Sequence, residues 1–279
     1  MTKVEESLGL ISIARGTGEA DLYIDGGNLV NVLSGEIYPA NIAVWNGRIA
    51  YVGLSRKMVG SNTRVIDAGG YYLCPCLIEA HFHPWFVYNP VSIMEVALAS
   101  GTTTLLCDNL ILYINLGAER FLKILKALDN YPLRLLWTAR VMSHSPYPGE
   151  EEFFSIENLR KVFFDPHILK VGEFTQWRTL IEGDNNLVEK INLALEAGLG
   201  IDGHTAGSSY ELLNAVVAAG VGSCHEAITA DEIANRVRLG LWTMLRYSSL
   251  RPDLPELVDG IIKMNLSTDR MILTTDCST

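Results

Sequence analysis

From about residue 71 onward, the sequence alternates between short strand-like segments and longer helical ones. Stretches such as 187–197, 210–219 and 230–239 repeat apolar residues at intervals of three and four, which is typical of amphipathic helices. Strands that alternate with helices form parallel βα units, and eight such units close into a barrel. The sequence predicts a (β/α)8 TIM-type barrel whose strands are YLCPCLIEA (72–80), TTTLLCD (102–108), RLLWTAR (134–140), HILKVGEF (167–174), GLGIDGH (198–204), GVGSCHE (220–226), LWTMLR (241–246) and MILTTD (271–276).

The length of this region limits the barrel. A (β/α)8 barrel typically takes about 250 residues and needs about 200, so residues 71–279 only just suffice. The sequence stops directly after the eighth strand segment, which predicts a barrel lacking its last helix. An uncovered last strand would expose apolar side chains to water. We therefore expect a homo-oligomer or a partner chain to supply the cover, unless this sequence is a fragment of a longer chain.

Residues 1–70 have a different pattern. Between residues 21 and 54, short β-branched segments are separated by Asp-Gly-Gly, Ser-Gly and Asn-Gly turn signals. This pattern predicts a small antiparallel β unit, the N-terminal β-sandwich portion of the protein. We expect two domains, with this portion in residues 1–70 and the barrel in residues 71–279.

Composition and charge exclude several classes of function. The 22 Lys and Arg residues are scattered and outnumbered by 32 Asp and Glu residues, for a net charge of -10, whereas binding to nucleic acid needs a clustered basic face. No apolar stretch approaches the roughly 20 residues that a membrane-spanning helix requires. The N-terminal segment MTKVEESLGL places acidic residues where a secretory signal would be apolar. We expect a cytoplasmic protein that binds neither nucleic acid nor membrane.

Two histidines follow the first predicted barrel strand. His81 and His83 are separated by one residue, and in an extended segment such residues point to the same side. Two neutral imidazoles at this spacing can bind one cation. The pair also lies at the carboxyl end of a strand, where barrels collect their active-site residues.

Other strand ends carry side chains of the same chemical types. Glu173 follows the fourth strand, His204 the fifth, His225 the sixth and Asp276 the eighth. Residues scattered at random would not fall at equivalent positions of one barrel, so we predict that these side chains share a site. The remaining two histidines lie in a loop and at the start of a strand, and we interpret His144 and His167 as exposed or structural.

Several of these segments resemble the metal-dependent amidohydrolases, and among them the adenine deaminases. The segments KVGEFTQW, IDGHTAG, GVGSCHEAITADEIANRVRLGLWTMLR and LTTDCS are similar to the second half of that family's barrel. The N-terminal segment that leads into RVIDAGGYYLCPCLIEAHFH is similar to its β-sandwich strands and its His-x-His entry. A glutamate at the position of Glu173, where many amidohydrolases have a carboxylated lysine, is a mark of the adenine deaminases.

The resemblance implies a binuclear metal centre that deaminates adenine or a related aminated heterocycle through a bridging hydroxide. The two divalent transition metal ions would be manganese, iron or zinc. Asp276 would complete the first metal site and act as a proton shuttle. Glu226 would be a second acid or base or a substrate clamp, and orientation of a metal ligand is an equal alternative. The implied ligands are His81 and His83 on the first ion, His204 and His225 on the second, and Glu173 between them.

Two alternatives stay open at this point. After His83 the chain continues as PWFVYNP (84–90) instead of the polar segment usual in the family. Such an aromatic entrance is compatible with a cyclic amide or imide substrate. The second alternative is a catalytically silent half of a split assembly.

Overall fold

The computed structural model describes residues 2–85, 88–145 and 147–276. Phe86 and Val87, from the aromatic entrance segment, lie outside the described residues. The chain divides into two compact units, Met1–Cys76 and Leu77–Thr279.

The described residues of the first unit form a five-stranded mixed sheet with one helix. The elements are α1 (Lys3–Arg15), β1 (Leu22–Asn31), β2 (Glu36–Trp45), β3 (Arg48–Gly53), β4 (Arg64–Asp67) and β5 (Tyr72–Leu73). The order in the sheet is β3-β2-β1-β4, and β5 also pairs with β1. The first three strands are antiparallel, as predicted, whereas β4 and β5 pair in parallel with β1.

Helix α1 packs against this sheet because its sequence allows close approach. A Cβ atom at Gly9 would lie 2.1 Å from the ring of Trp45 on β2, so only glycine fits there. Thr2 caps the helix, accepting a hydrogen bond from the backbone N–H of Glu5. Gly16 ends it in the left-handed conformation, at φ 71°.

The second unit contains eight parallel strands and nine helices within the residues described. Its strands are β6 (Leu77–Phe82), β7 (Thr102–Asp108), β8 (Arg134–Ala139), β9 (Ile168–Phe174), β10 (Gly200–Gly203), β11 (Val221–Cys224), β12 (Trp242–Arg246) and β13 (Met271–Thr274). Its helices are α2 (Ser92–Ala99), α3 (Leu110–Leu128), α4 (Glu150–Phe153), α5 (Ile156–Phe163), α6 (Trp177–Ile181), α7 (Asn185–Glu196), α8 (Tyr210–Ala218), α9 (Ala230–Arg238) and α10 (Leu254–Lys263).

The predicted first barrel strand began too early. Tyr72–Leu73 pairs with β1 of the first unit, and the barrel strand begins at Leu77. Pro75 lies between the two segments and has no N–H to donate to a strand ladder, which accounts for the break. The other seven predicted strands differ from the observed ones by at most two residues at either end.

The eight strands are hydrogen-bonded in sequence order from β6 to β13. Glu79 on β6 links the first strand to the last, because its carboxylate accepts hydrogen bonds from Thr274 and from the backbone N–H and hydroxyl of Thr275, the last two both at 2.9 Å. The predicted TIM-type barrel is confirmed.

The core of this unit lies between the strands and the surrounding helices. Trp137 on β8 and Phe121 on α3 are fully buried and meet edge to face, 5.6 Å between ring centroids. Helix α3 is interrupted at Gly117, whose φ of 70° is not helical. No helix among the described residues is both long enough and apolar enough to cross a membrane.

Candidate metal centre

The polar side chains at the carboxyl ends of the barrel strands converge. His81 and His83 come from β6 and the residue after it, while Glu173 is on β9. His204 and His225 each directly follow a strand, β10 and β11 respectively. Asp276 lies two residues after β13. All six ligands named from the sequence lie in this one cluster, described in two groups below.

The first group contains His81, His83 and Asp276. The Nε2 atoms of the two imidazoles are 3.2 Å apart. Asp276 Oδ1 lies 3.2 Å from Nε2 of His81 and 3.0 Å from Nε2 of His83. The alternation of β6 produces this arrangement, since His81 and His83 point to one side.

The second group contains Glu173, His204 and His225. Glu173 Oε1 is in contact with Nδ1 of His204 and lies 3.6 Å from Nε2 of His225. The rings of His204 and His225 meet edge to face, with their centroids 5.2 Å apart.

Glu173 connects the two groups through its two oxygens. Oε1 faces His204 and His225, whereas Oε2 lies 3.7 Å from Nε2 of His83. The carboxylate is buried, at 7% exposed. Burial opposes its ionisation, but the imidazoles of His204 and His225 and the charge of Arg140 outweigh that cost and hold the pKa of Glu173 far below its usual range.

Arg140 and Asp108 were not found from the sequence. Arg140 is 4% exposed, and its guanidinium donates to Glu173 Oε2 and to the backbone oxygen of Glu173, both at 2.7 Å. Its Nε donates to Asp108, the last residue of β7. Both residues stand at strand ends. Asp108 is a carboxylate at such a position, so the criterion that selected Glu173 and Asp276 also applied to it, whereas the role of Arg140 depends on the carboxylates it meets across the barrel.

Glu226 lies beside the second group and is held by two arginines. Its Oε1 is 3.6 Å from Nε2 of His225 and 3.8 Å from Nδ1 of His204. Arg246, at the end of β12, donates to Glu226 with one amino group and to Asp276 with the other. Arg251 lies 3.4 Å from Glu226 Oε2. Arg246 therefore joins the two carboxylates to which the sequence assigned acid and base roles.

Neither of the two histidines set aside from the sequence belongs to the donor groups found among the described residues. His144 is exposed, with its ring 6.2 Å from that of His204. His167 precedes β9 at the opposite end of the barrel, between Asp129 and Asp165.

The donor set fits divalent cations. In each of the two groups the imidazole nitrogens and carboxylate oxygens lie within 4.8 Å of one another, and these donor types suit transition metals. Among the residues that the structure describes, two further groupings satisfy the same distance, one around Asp202 and one around Asp108. A cation there would meet a positive charge, because Lys170 Nζ is 3.2 Å from Asp202 and Arg140 is bound to Asp108.

Comparison with known proteins identifies the family. A family model described as "Amidohydrolase family" matches residues 72–264, which is more than half of the chain. The chain belongs to the amidohydrolase family. The resemblance seen in the sequence is confirmed.

Two curated proteins have sequences similar to that of this chain. A putative adenine deaminase of Picrophilus torridus is 33% identical over 269 residues, 96% of this chain and 46% of that protein. An adenine deaminase of Moorella thermoacetica is 33% identical over 275 residues, with the same two shares of 96% and 46%. The chain spans about half the length of the curated relatives it matches.

Solved structures resemble the fold of this chain at lower identity. A β-aspartyl dipeptidase of Fervidobacterium islandicum AW-1 has a TM-score of 0.65 at 15% identity, covering 91% of this chain and 73% of that one. An N-acetyl-D-glucosamine-6-phosphate deacetylase of Mycobacterium smegmatis has a TM-score of 0.60 at 13% identity, covering 92% and 77%. These likenesses support the fold alone.

Proposed function

We propose that this protein is a binuclear metal-dependent hydrolase that deaminates adenine or a related aminated heterocycle. One observation supports the proposal most strongly. The two oxygens of Glu173 face different groups of imidazoles, Oε1 toward His204 and His225 and Oε2 toward His83. A carboxylate with this placement suits a bridge between two cations.

The residues divide between two metal positions. Bound cations would supply Lewis acidity and lower the pKa of a water, so that hydroxide is available near pH 7. Manganese, iron and zinc all accept imidazole and carboxylate ligands, so any of the three suits the site. The proposed ligands are His81, His83 and Asp276 at one position, His204 and His225 at the other, and Glu173 between them.

Asp276 is placed to move a proton. Its Oδ1 faces His81 and His83, and its Oδ2 is held by Arg246. In the proposed reaction the oxygen of water bonds to the amino-bearing ring carbon while Asp276 accepts a proton from that water. Asp276 then gives this proton to the leaving nitrogen as the carbon–nitrogen bond breaks, so ammonia departs and adenine becomes hypoxanthine.

Glu226 has the second acid–base or clamping role in this proposal. It lies within 4 Å of both His204 and His225, and Arg246 and Arg251 fix its orientation. With the guanidiniums of Arg246 and Arg251 on one side, the Glu226 carboxylate faces the imidazoles with an accepting oxygen, so it acts first as an acceptor, for a ring N–H or for the substrate amino group.

Ammonia release tests the proposal directly. The chain is loaded with Mn²⁺, Fe²⁺ or Zn²⁺ and incubated with adenine, and ammonia and hypoxanthine are measured. Both products should appear in equal amounts, and Glu173→Gln should abolish them. A metal-loaded chain that releases no ammonia from adenine or any other aminated purine would contradict the proposal.

A cyclic amide or imide hydrolase is the second candidate. It is favoured by an aromatic side chain beside the candidate ligands. The Trp85 ring meets the His83 ring edge-on, with 5.5 Å between the centroids. Ring opening without ammonia would support this candidate. Absence of bound metal after mild purification would instead favour a catalytically silent half of a split assembly.

The proposal includes a cytoplasmic location and an oligomer or a partner chain. Ile78 and Leu273, on the first and last barrel strands, are both 64% exposed, and apolar side chains there favour a covering surface. Sedimentation that shows a stable, monodisperse monomer would argue against such a partner.

A further inference from the structure

Asp202, in the middle of β10, lies beneath the two metal groups. It is completely buried, at 0% exposed. Its Oδ2 atom lies 3.3 Å from Nδ1 of His81 and 3.7 Å from Nδ1 of His225. One carboxylate oxygen thus faces one imidazole from each group.

The two imidazoles are arranged as a pair above this carboxylate. The rings of His81 and His225 stack with 3.9 Å between centroids and 23° between planes. With Nδ1 of each ring toward Asp202, Nε2 of each points the other way. Nε2 of His81 faces Asp276 at 3.2 Å, and Nε2 of His225 faces Glu173 at 3.6 Å.

We infer that Asp202 is a positioning residue shared by both metal positions, holding the Nδ1–H tautomer of His81 and His225 so that each Nε2 lone pair points at its own cation. This inference rests on the proposed function, because it assumes that both positions take metal. A carboxylate behind a ligating imidazole fixes the ring and makes it a better donor. Here a single carboxylate does so for both metal positions, so a change in Asp202 should affect metal binding at both.

The surroundings of Asp202 hold it in this place. Lys170 Nζ lies 3.2 Å from Oδ2 and balances its charge, and Ser223 donates a hydrogen bond to Oδ1. Gly172 on the neighbouring strand β9 makes room for it, since a Cβ atom at Gly172 would lie 2.7 Å from Cβ of Asp202. Any larger residue at position 172 would displace the carboxylate.

The other two imidazoles are supported differently. Nδ1 of His83 is 4.0 Å from Asp108, which is already bound by Arg140. Nδ1 of His204 faces Glu173 and is itself the candidate ligand atom. Asp108 therefore stands beside one metal position only, whereas Asp202 stands beside both.

Metal titration of Asp202→Asn tests the inference. Metal-free protein is titrated with Zn²⁺ by calorimetry, with elemental analysis of the saturated sample. Wild-type protein should bind about two ions, and Asp202→Asn should weaken both binding steps, each by about 10–100-fold. Weakening of one step alone, or of neither, would overturn the shared role.

Asp165→Asn is the matched control. Asp165 also faces an imidazole Nδ1, that of His167 at 2.6 Å, but at the far end of β9. Its replacement should leave both binding steps at wild-type affinity. Weakened metal binding in Asp165→Asn would mean that loss of any carboxylate facing an imidazole acts through the fold in general, and would remove the support for Asp202.

A measurement on wild-type protein covers the case in which Asp202→Asn does not fold. In the zinc-loaded protein, long-range ¹H–¹⁵N spectra should show His81 and His225 protonated at Nδ1. Protonation of either ring at Nε2 would overturn the inference. Wild-type protein that binds no metal at all contradicts the proposed function instead, so the two failures are distinguishable.

Discussion

Both ends of the barrel place a histidine beside an aspartate, but the groups that the second ring nitrogen faces differ between the two ends. At the amino end of β9, His167 has Nδ1 2.6 Å from Asp165 and Nε2 3.0 Å from Asp129, so carboxylates occupy both ring nitrogens. At the carboxyl end, His81 faces Asp202 with Nδ1 and turns Nε2 toward His83 and Asp276. A histidine–aspartate pair is therefore not itself a metal site; the candidate centre differs because nitrogens of two imidazoles and an oxygen of a carboxylate converge in each of its two groups.

Burial adds to the difference. The side chain of His81 is 1% exposed and that of His167 is 17% exposed. Charges in the buried cluster interact through a medium of lower polarity, so each pair there has a larger effect on its neighbours. We expect changes at the carboxyl end to alter metal binding and catalysis, and changes at the amino end to alter stability only slightly.

The largest predicted effect is on turnover. Asp276→Asn removes the proposed proton shuttle and should lower kcat for ammonia release by about 10²–10⁴-fold, the usual contribution of general acid–base catalysis. His167→Gln, at the other end, should keep wild-type turnover. Equal losses in the two variants would show that the comparison between the ends has no functional meaning.

Metal removal should have an intermediate effect, seen in thermal stability. Zn²⁺ at about 100 times its dissociation constant stabilises the folded state by about 2.7 kcal/mol, which should raise the Tm by roughly 5–10 °C for a unit of this size. The Tm of Glu173→Gln should rise less on addition of Zn²⁺, because this variant lacks the proposed bridge. The Tm of His167→Gln should rise as much as that of wild type. A chelator that leaves the Tm of zinc-loaded protein unchanged would count against bound metal.

The smallest predicted effect is a pH-dependent stability at His167. Burial lowers the pKa of His167, but the carboxylates of Asp165 and Asp129 outweigh burial and raise the pKa overall. Relative to His167→Gln, wild-type protein should gain stability that is complete below about pH 6.5 and is lost as the pH rises through the raised pKa. The gain should be on the order of 1 kcal/mol or less. Urea unfolding of both proteins across this range measures it, and a gain that grows with rising pH would contradict the assignment.

Much of the site was predictable because barrel topology turns sequence position into spatial position. Once strand ends could be located, residues as distant along the chain as His81 and Asp276 were expected at one end of the barrel. The alternation of β6 further predicted that His81 and His83 point the same way.

Other parts of the site could not be found in this way. Asp202 lies inside a strand, where a buried polar residue has no distinguishing pattern in the sequence. Arg140 and Arg246 stand at strand ends, but the value of a guanidinium there depends on which carboxylates lie opposite. Such pairs form between side chains of different strands, so the sequence of one segment does not show them.

The sequence by itself determined the order of strands and helices, the strand that each candidate ligand follows, and the resemblance to the amidohydrolases. Those properties depend on local periodicity and on short motifs, which are written along the chain. Only the tertiary structure decided which oxygen of Glu173 faces which imidazole, that Arg246 joins Glu226 to Asp276, and that one carboxylate lies beneath His81 and His225. The physical reason is that these relations are distances between side chains of different strands, and they exist only after the barrel has closed.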